Sequence, residues 1–227
     1  MAFDKLIVFW GHLSRMGGVL RPDGSHIMNS HDGFIVYTDG IFYHYGIVQP
    51  TNCTGSPLCK GNRCGWGPNT IALHSTTDLK RWTHHTDDLL DGRYCEPGST
   101  GCTGSGTCGV FLPKVLFNKK TNLYVMWWTC SVCSVATSSS PTGPWTIADW
   151  NVTYAGSGKQ VCKGSINFYV EEATQEAYLV KNWYNTSAHE IVSVERLTDD
   201  YLGSAASATS TVFNKQTAAS SGLVGTW

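Results

Sequence analysis

Charge is scarce in this chain of 227 residues, and neither sign prevails: Asp, Glu, Lys and Arg make up 15% of it, 16 basic against 17 acidic. A nucleic-acid partner leaves a basic stripe in the sequence, and none is present. No apolar run approaches the roughly 18 residues that mark a membrane-spanning helix. Apolar residues sustained at i, i+3, i+4 and i+7 are also missing, which excludes a helical bundle. A disordered chain is excluded by what is abundant, since 41% of residues are hydrophobic and 12% aromatic. The length fits one domain, at most two.

The nine cysteines form no paired C-x2-C zinc pattern. Cys130 and Cys133 are a lone C-x2-C with no His nearby, so no metal site is expected. Disulfides, and with them an oxidising extracellular compartment, are the better expectation. Sequons at Asn52, Asn151 and Asn185 agree with a secreted glycoprotein. The apolar run Leu6–Trp10 is shorter than the core of an export signal, so no signal peptide is evident in this chain.

Short β-branched and aromatic runs dominate, broken by Gly, Asn, Asp and Thr, which predicts an all-β fold. Three blocks repeat. Each opens with a hairpin: Phe34–Tyr37 returning as Ile41–Tyr45, Pro113–Phe117 returning as Leu123–Trp128, and Ile166–Val170 returning as Glu176–Val180. Each then adds a strand, a turn and an aromatic, at Trp82, Trp145 and Tyr201, spaced 63 and 56 residues apart. A four-stranded unit at this period predicts a β-propeller. About three and a half blades fit the chain. Residues 1–26 read as an N-terminal leader or strand, and 27–227 as a partial propeller. Its blades are expected at about 31–83, 110–146 and 164–202, with a fourth beginning at about 208–227.

Strand alternation sends the connections between second and third strands, and those between blades, to one face of the ring. All nine cysteines fall in those connections. Long loops bury too little to offset their ordering entropy, and disulfides compensate by restricting the unfolded chain. Stiffened loops on one face make the walls of a cleft. The pairing itself cannot be read from the sequence.

Five segments carry a resemblance. Asn29–Val36 with Tyr43–Gly46, Ser75–Trp82, Leu112–Asn118, Ala136–Trp145 and Val194–Leu202 resemble, in order, edge and hairpin motifs of glycoside hydrolase family 43. The similarity is to its galactanase-like and arabinanase-like branches and covers about residues 20–204. It implies a five-bladed propeller, here incomplete, that hydrolyses arabinan, xylan or galactan side chains, usually with inversion. Such chemistry needs one carboxylic acid to protonate the leaving oxygen and one carboxylate to activate water. The resemblance puts Asp32 in the place of the general base and His31 beside it, in a substrate or channel role. For some relatives it implies a structural calcium or sodium ion in the channel, although no ligand cluster here specifies one; no other cofactor is expected.

The match departs at several positions. Phe111-Leu112 stands where the galactanase-like branch has an acid and an Arg, Ser165 and Asn167 stand at inner-strand Asp positions, and Trp183 and Ala208 stand near expected Glu positions. Glu171 and Glu172 belong to a solvated hairpin turn. Glu96 and Glu190 are weak candidates for the acid, and neither lies in a motif. Trp66, Trp128, Trp183 and Tyr184 are candidates to stack on sugar faces, whereas Trp82 and Trp145 recur at blade edges and read as packing. Two functions follow: a glycoside hydrolase-like protein acting on polysaccharide side chains, or a catalytically degenerate propeller that binds glycans or a protein partner. The oligomeric state cannot be read.

Overall fold

The computed structural model describes residues 30–48, 59–60, 63–64, 70–94, 110–130, 132–154, 161–162, 165–184, 190–206 and 211–214. Every regular element among them is a strand. The first sheet takes β1 (Ser30–Thr38), β2 (Ile41–Val48), β5 (Thr70–Thr76) and β6 (Thr83–Thr86), paired in that order. A small hairpin, β3 (Cys59–Lys60) with β4 (Arg63–Cys64), interrupts the connection from β2 to β5. The second sheet runs β7 (Phe111–Asn118), β8 (Leu123–Cys130), β9 (Val132–Ser138) and β10 (Thr146–Asp149). The third runs β11 (Ser165–Val170), β12 (Ala177–Tyr184), β13 (Glu190–Arg196) and β14 (Thr211–Asn214). All three are antiparallel meanders whose strand order follows the chain, the pattern of propeller blades.

Local chemistry fixes the turns. Thr38 pairs with Ile41, leaving Asp39-Gly40 as a two-residue loop with φ of 52° and 81°. Two left-handed residues make the type I′ turn whose twist matches that of the strands. Between third and fourth strands the same device recurs. Asp78 Oδ1 accepts the Lys80 and Arg81 amides, Ser140 Oγ accepts the Thr142 amide, and Asp200 Oδ1 accepts the Leu202 amide. Side-chain oxygens capping their own turn in this way set the corner without help from the core.

The middle sheet is buried on both faces. Towards the first sheet, Val115, Tyr124, Met126, Trp128 and Ala136 pack with Tyr45, Ile71 and Leu73. Towards the third, Leu116, Val125, Trp127 and Val135 pack with Ile166, Phe168, Leu179 and Leu197. This explains the unbroken apolar run Leu123–Trp128, because neither face of the strand requires polar residues. Two indoles are tied across the gaps: Trp127 Nε1 donates to the Tyr201 carbonyl at 2.9 Å, and Trp128 Nε1 to the Tyr94 carbonyl at 3.0 Å. Trp82 and Trp145 are buried, in line with packing roles.

One boundary differs from the sequence reading. Thr211–Asn214 pairs antiparallel with β13, so it completes the third sheet and does not begin a fourth. The outermost strand is simply delayed by the segment through Ala206, which first returns along the sheet: Leu197 bridges to Ser204, and Tyr154 to Ser204.

Candidate active site

Pairing places the start of β1 opposite the end of β2, the start of β7 opposite the end of β8, and the start of β11 opposite the end of β12. One end of each sheet therefore gathers the first residues of its innermost strand and the connection from second to third strand. At this end the first two sheets carry matching irregularities. The β1–β2 register slips between His31 and Phe34, and the β7–β8 register slips between Phe111 and Lys114. Each slip is a bulge with one left-handed residue, Asp32 at φ 51° and Leu112 at φ 55°. Bulges re-aim side chains and concentrate beside functional sites. Asp adopts this conformation readily, whereas Leu pays a strain cost for it.

Asp32 is half-buried. Of the three innermost strands, SHDGFIVYT, FLPKVLFN and SINFYV, it is the lone carboxylate. The next residue, Gly33, is held from two sides. Lys114 Nζ reaches its carbonyl at 3.5 Å. Its Cα faces β2 so closely that an added Cβ would overlap His44 Nε2 and lie 2.8 Å from the Tyr45 carbonyl oxygen.

Lys114 is buried, and its ammonium lies 5.3 Å from the centroid of the Phe34 ring. Burial lowers its pKa to about 8, and the charge of Asp32 opposes that shift. Burial, and secondarily the charge of Lys114, lowers the His44 pKa to about 4. The imidazole is therefore neutral at pH 7. It sits edge-on to Trp82, with ring centroids 5.8 Å apart, and is followed across the first sheet by His74 and His84. Lys114 was not singled out from the sequence. Its signal was a lone cation within the apolar stretch Val110–Phe117.

The other expected residues are distributed unevenly. His31 lies in β1 next to Asp32, and Glu190 opens β13 opposite Tyr184, with Trp183 opposite Ile191. These backbones share the same end of their sheets. Glu96 and Trp66 lie outside the described residues, as do Ala208, Asn52 and Asn185. Trp128 is a correction: it is wholly buried in the core between the first two sheets, edge-on to Trp150, and its N–H is committed to Tyr94. It has no face to offer a sugar. Ser165 and Asn167 sit on β11 with no carboxylate among them.

Cys133 and Cys162 form a disulfide, which ties β9 to the segment just before β11 at this same end. Among the described residues no three His, Cys, Asp or Glu side chains come together as metal ligands. Also among them, no helix is long and apolar enough to cross a membrane.

No protein-family model matches the sequence, and no curated protein matches it. Solved structures do. The chain is similar to a putative exo-β-1,3-galactanase from Bifidobacterium bifidum, at 19% identity and a TM-score of 0.58, over 83% of this chain and 55% of that one. An exo-β-1,3-galactanase from Clostridium thermocellum aligns at 19% identity and a TM-score of 0.60, over 88% of this chain and 41% of that one. An α-L-arabinofuranosidase from the same organism aligns at 19% identity and a TM-score of 0.51, over 80% of this chain and 56% of that one. The chain thus spans about half the length of these structures. It has the fold of family-43 glycoside hydrolases, as three four-stranded blades of their β-propeller.

Proposed function

We propose that this chain is a secreted, glycoside hydrolase-like protein acting on polysaccharide side chains of the galactan, arabinan or xylan kind, with Asp32 as the general base. The observation that carries this reading is the position of Asp32, the single carboxylate of the three innermost strands, on a left-handed bulge. The similar structures, galactanases and an arabinofuranosidase, supply the substrate class. Asp32 takes the proton of a water that attacks the anomeric carbon. The leaving oxygen is protonated by a second carboxyl, about 6.5–9.5 Å away in an inverting enzyme. Glu190 and Glu96 are the candidates for that donor. His31, Trp66, Trp183 and Tyr184 supply polar and stacking contacts to the sugar. The Cys133–Cys162 disulfide and the exposed sequon at Asn151 support secretion. Nucleic acid and membrane are not partners in this reading.

A second reading has its own observation. Phe111-Leu112 occupies in β7 the bulge that His31-Asp32 occupies in β1, so the innermost strand of the second blade brings no carboxylate to this end. A propeller with a base and no acid binds glycans without cleaving them. The two readings are separated by measuring release of reducing sugar from arabinan, galactan and xylan, with Asp32→Asn as control. Turnover that falls at least 10²-fold in the variant supports the hydrolase. Binding on a glycan array with no turnover on any substrate supports the degenerate propeller.

A further inference from the structure

Lys114 is expensive to keep. A buried ammonium costs several kcal/mol unless it is paired, and its neighbours in β7 are Leu112, Pro113, Val115 and Leu116. Nothing in the core packing calls for a cation here: Val115 fills the space towards the first sheet and Leu116 that towards the third. The amine instead crosses to the neighbouring innermost strand and ends on the Gly33 carbonyl, one residue from Asp32. The contact joins the bulge of the first sheet to the first regular residue after the bulge of the second. Gly33 is pinned from its other side by His44 and Tyr45. The peptide that carries Asp32 is therefore clamped between β2 and β7.

We infer that Lys114 is the positioning residue of this site: clamped on Gly33, it supplies the fixed positive charge that holds Asp32 in its left-handed bulge and ionised. The inference rests on the reading of Asp32 as the base, and it adds the group that prepares that base for use. A lone aspartate in a half-buried pocket drifts towards its neutral form, and a neutral acid cannot take a proton from water. The charge of Lys114, which interacts with that of Asp32, opposes that drift. Facing Lys114 from β2 is His44, which burial first and the charge of Lys114 second hold neutral.

Coupling of this kind is reciprocal: whatever Lys114 does to Asp32, Asp32 does to Lys114. The experiment uses the full chain. The carboxyl carbon of Asp32 is titrated by NMR in the unsubstituted protein, in Lys114→Met and in Lys114→Arg. The side chain of Lys114 is titrated in the unsubstituted protein and in Asp32→Asn, with thermal unfolding recorded for each. Expected are an Asp32 midpoint raised by at least one unit in Lys114→Met, recovered in Lys114→Arg, and a Lys114 midpoint lowered by a similar amount in Asp32→Asn. Where sugar is released, the acid limb of kcat/KM moves to higher pH in Lys114→Met by the same amount. Midpoints that stay within about 0.3 units in folded variants overturn the inference. If Lys114→Met does not fold, the titration of Lys114 in Asp32→Asn decides alone. Coupled midpoints without turnover on any glycan leave the charge pair standing and remove the hydrolase reading; turnover with uncoupled midpoints does the opposite.

Discussion

Asp32 and Leu112 occupy the same place in successive sheets, each the left-handed residue of a bulge near the start of an innermost strand, with φ of 51° and 55°. The repeat therefore extends beyond strand order to a backbone irregularity. The two blades use it differently. The first presents a carboxylate there; the second presents an apolar side chain, which packs against the core between the second and third sheets.

The bulge of the first blade depends on Gly33. Any Cβ at this position meets the buried His44 ring and lies 2.8 Å from the Tyr45 carbonyl, and neither neighbour is the free end of a flexible side chain. Overpacking a close contact of this kind costs about 1–3 kcal/mol. Gly33→Ala is expected to lower the urea midpoint accordingly and to reduce any activity or glycan binding with it. A variant as stable as the parent would show that the β1–β2 contact is looser than described.

Much of this arrangement was legible from the residues, and the parts that were not have identifiable causes. Asp39-Gly40 announced the first hairpin because only left-handed residues fit a two-residue turn there. The capped turns at Thr76–Asp78 and Thr198–Asp200 carried their own side-chain acceptors in the sequence. Strand β14 reads from the sequence as the start of a new blade because a Ser- and Ala-rich stretch separates it from β13, and pairing across such a gap leaves no local signal. Trp128 reads from the sequence as a cleft residue because it lies near the cleft end of its strand. The unbroken run Tyr124–Trp128 held the correction, since a strand without polar alternation is covered on both faces. Lys114 lies inside Leu112–Asn118, where the family resemblance accounts for the segment, its single buried cation included.

Acid is expected to weaken the first sheet through His44. Its pKa is about 4 in the folded protein against 6.5 for an ordinary imidazole, so between these values the unfolded chain binds a proton that the folded one refuses. Stability is then complete above about pH 6.5, falls as the pH drops towards 4, and levels off below it. The shift corresponds to roughly 3 kcal/mol for this wholly buried group. Lys114 from β7, His74 from β5 and the Trp82 ring are its neighbours. Urea unfolding at pH 7.5 and pH 4.5 measures the loss, and His44→Gln is expected to remove this part of it. An unchanged difference between the two pH values in that variant would assign the acid sensitivity elsewhere.

Reduction is expected to loosen the junction of the second and third sheets. Cys133 and Cys162 are buried in their shared core and close a loop with a sequence separation of 29. Chain-entropy arguments give such a bridge about 3–4 kcal/mol. The segments on either side are also hydrogen-bonded, the Val152 amide donating to the Cys133 carbonyl and the Val161 amide to the Val152 carbonyl, both at 2.9 Å. The double variant Cys133→Ala/Cys162→Ala is therefore expected to fold but to melt at lower temperature. A thiol reductant should lower the parent's melting temperature, and the part of that shift due to this bridge should be missing in the double variant. Equal melting of parent and variant would mean that the bridge contributes nothing.

The third sheet encloses a pair of buried charges whose removal should be asymmetric. Lys181 in β12 and Glu195 in β13 stand 2.9 Å apart with side-chain exposures of 3% and 0%. Tyr154 donates to Glu195 at 2.5 Å, Ser204 to the other carboxylate oxygen at 3.4 Å, and Lys181 also reaches the Val161 carbonyl. Burial pushes the Lys181 pKa down while Glu195 pulls it back up. Breaking such a pair on one side strands the other charge in an apolar core, at a cost of about 3–5 kcal/mol, whereas replacing both with apolar groups is often neutral. Lys181→Met alone is thus expected to destabilise strongly. The double variant Lys181→Met/Glu195→Leu should recover much of the loss, short of the hydrogen bonds left open on Tyr154 and Ser204. Urea unfolding of the four proteins forms a double-mutant cycle, and additive effects would show that the two charges stabilise the sheet independently of one another.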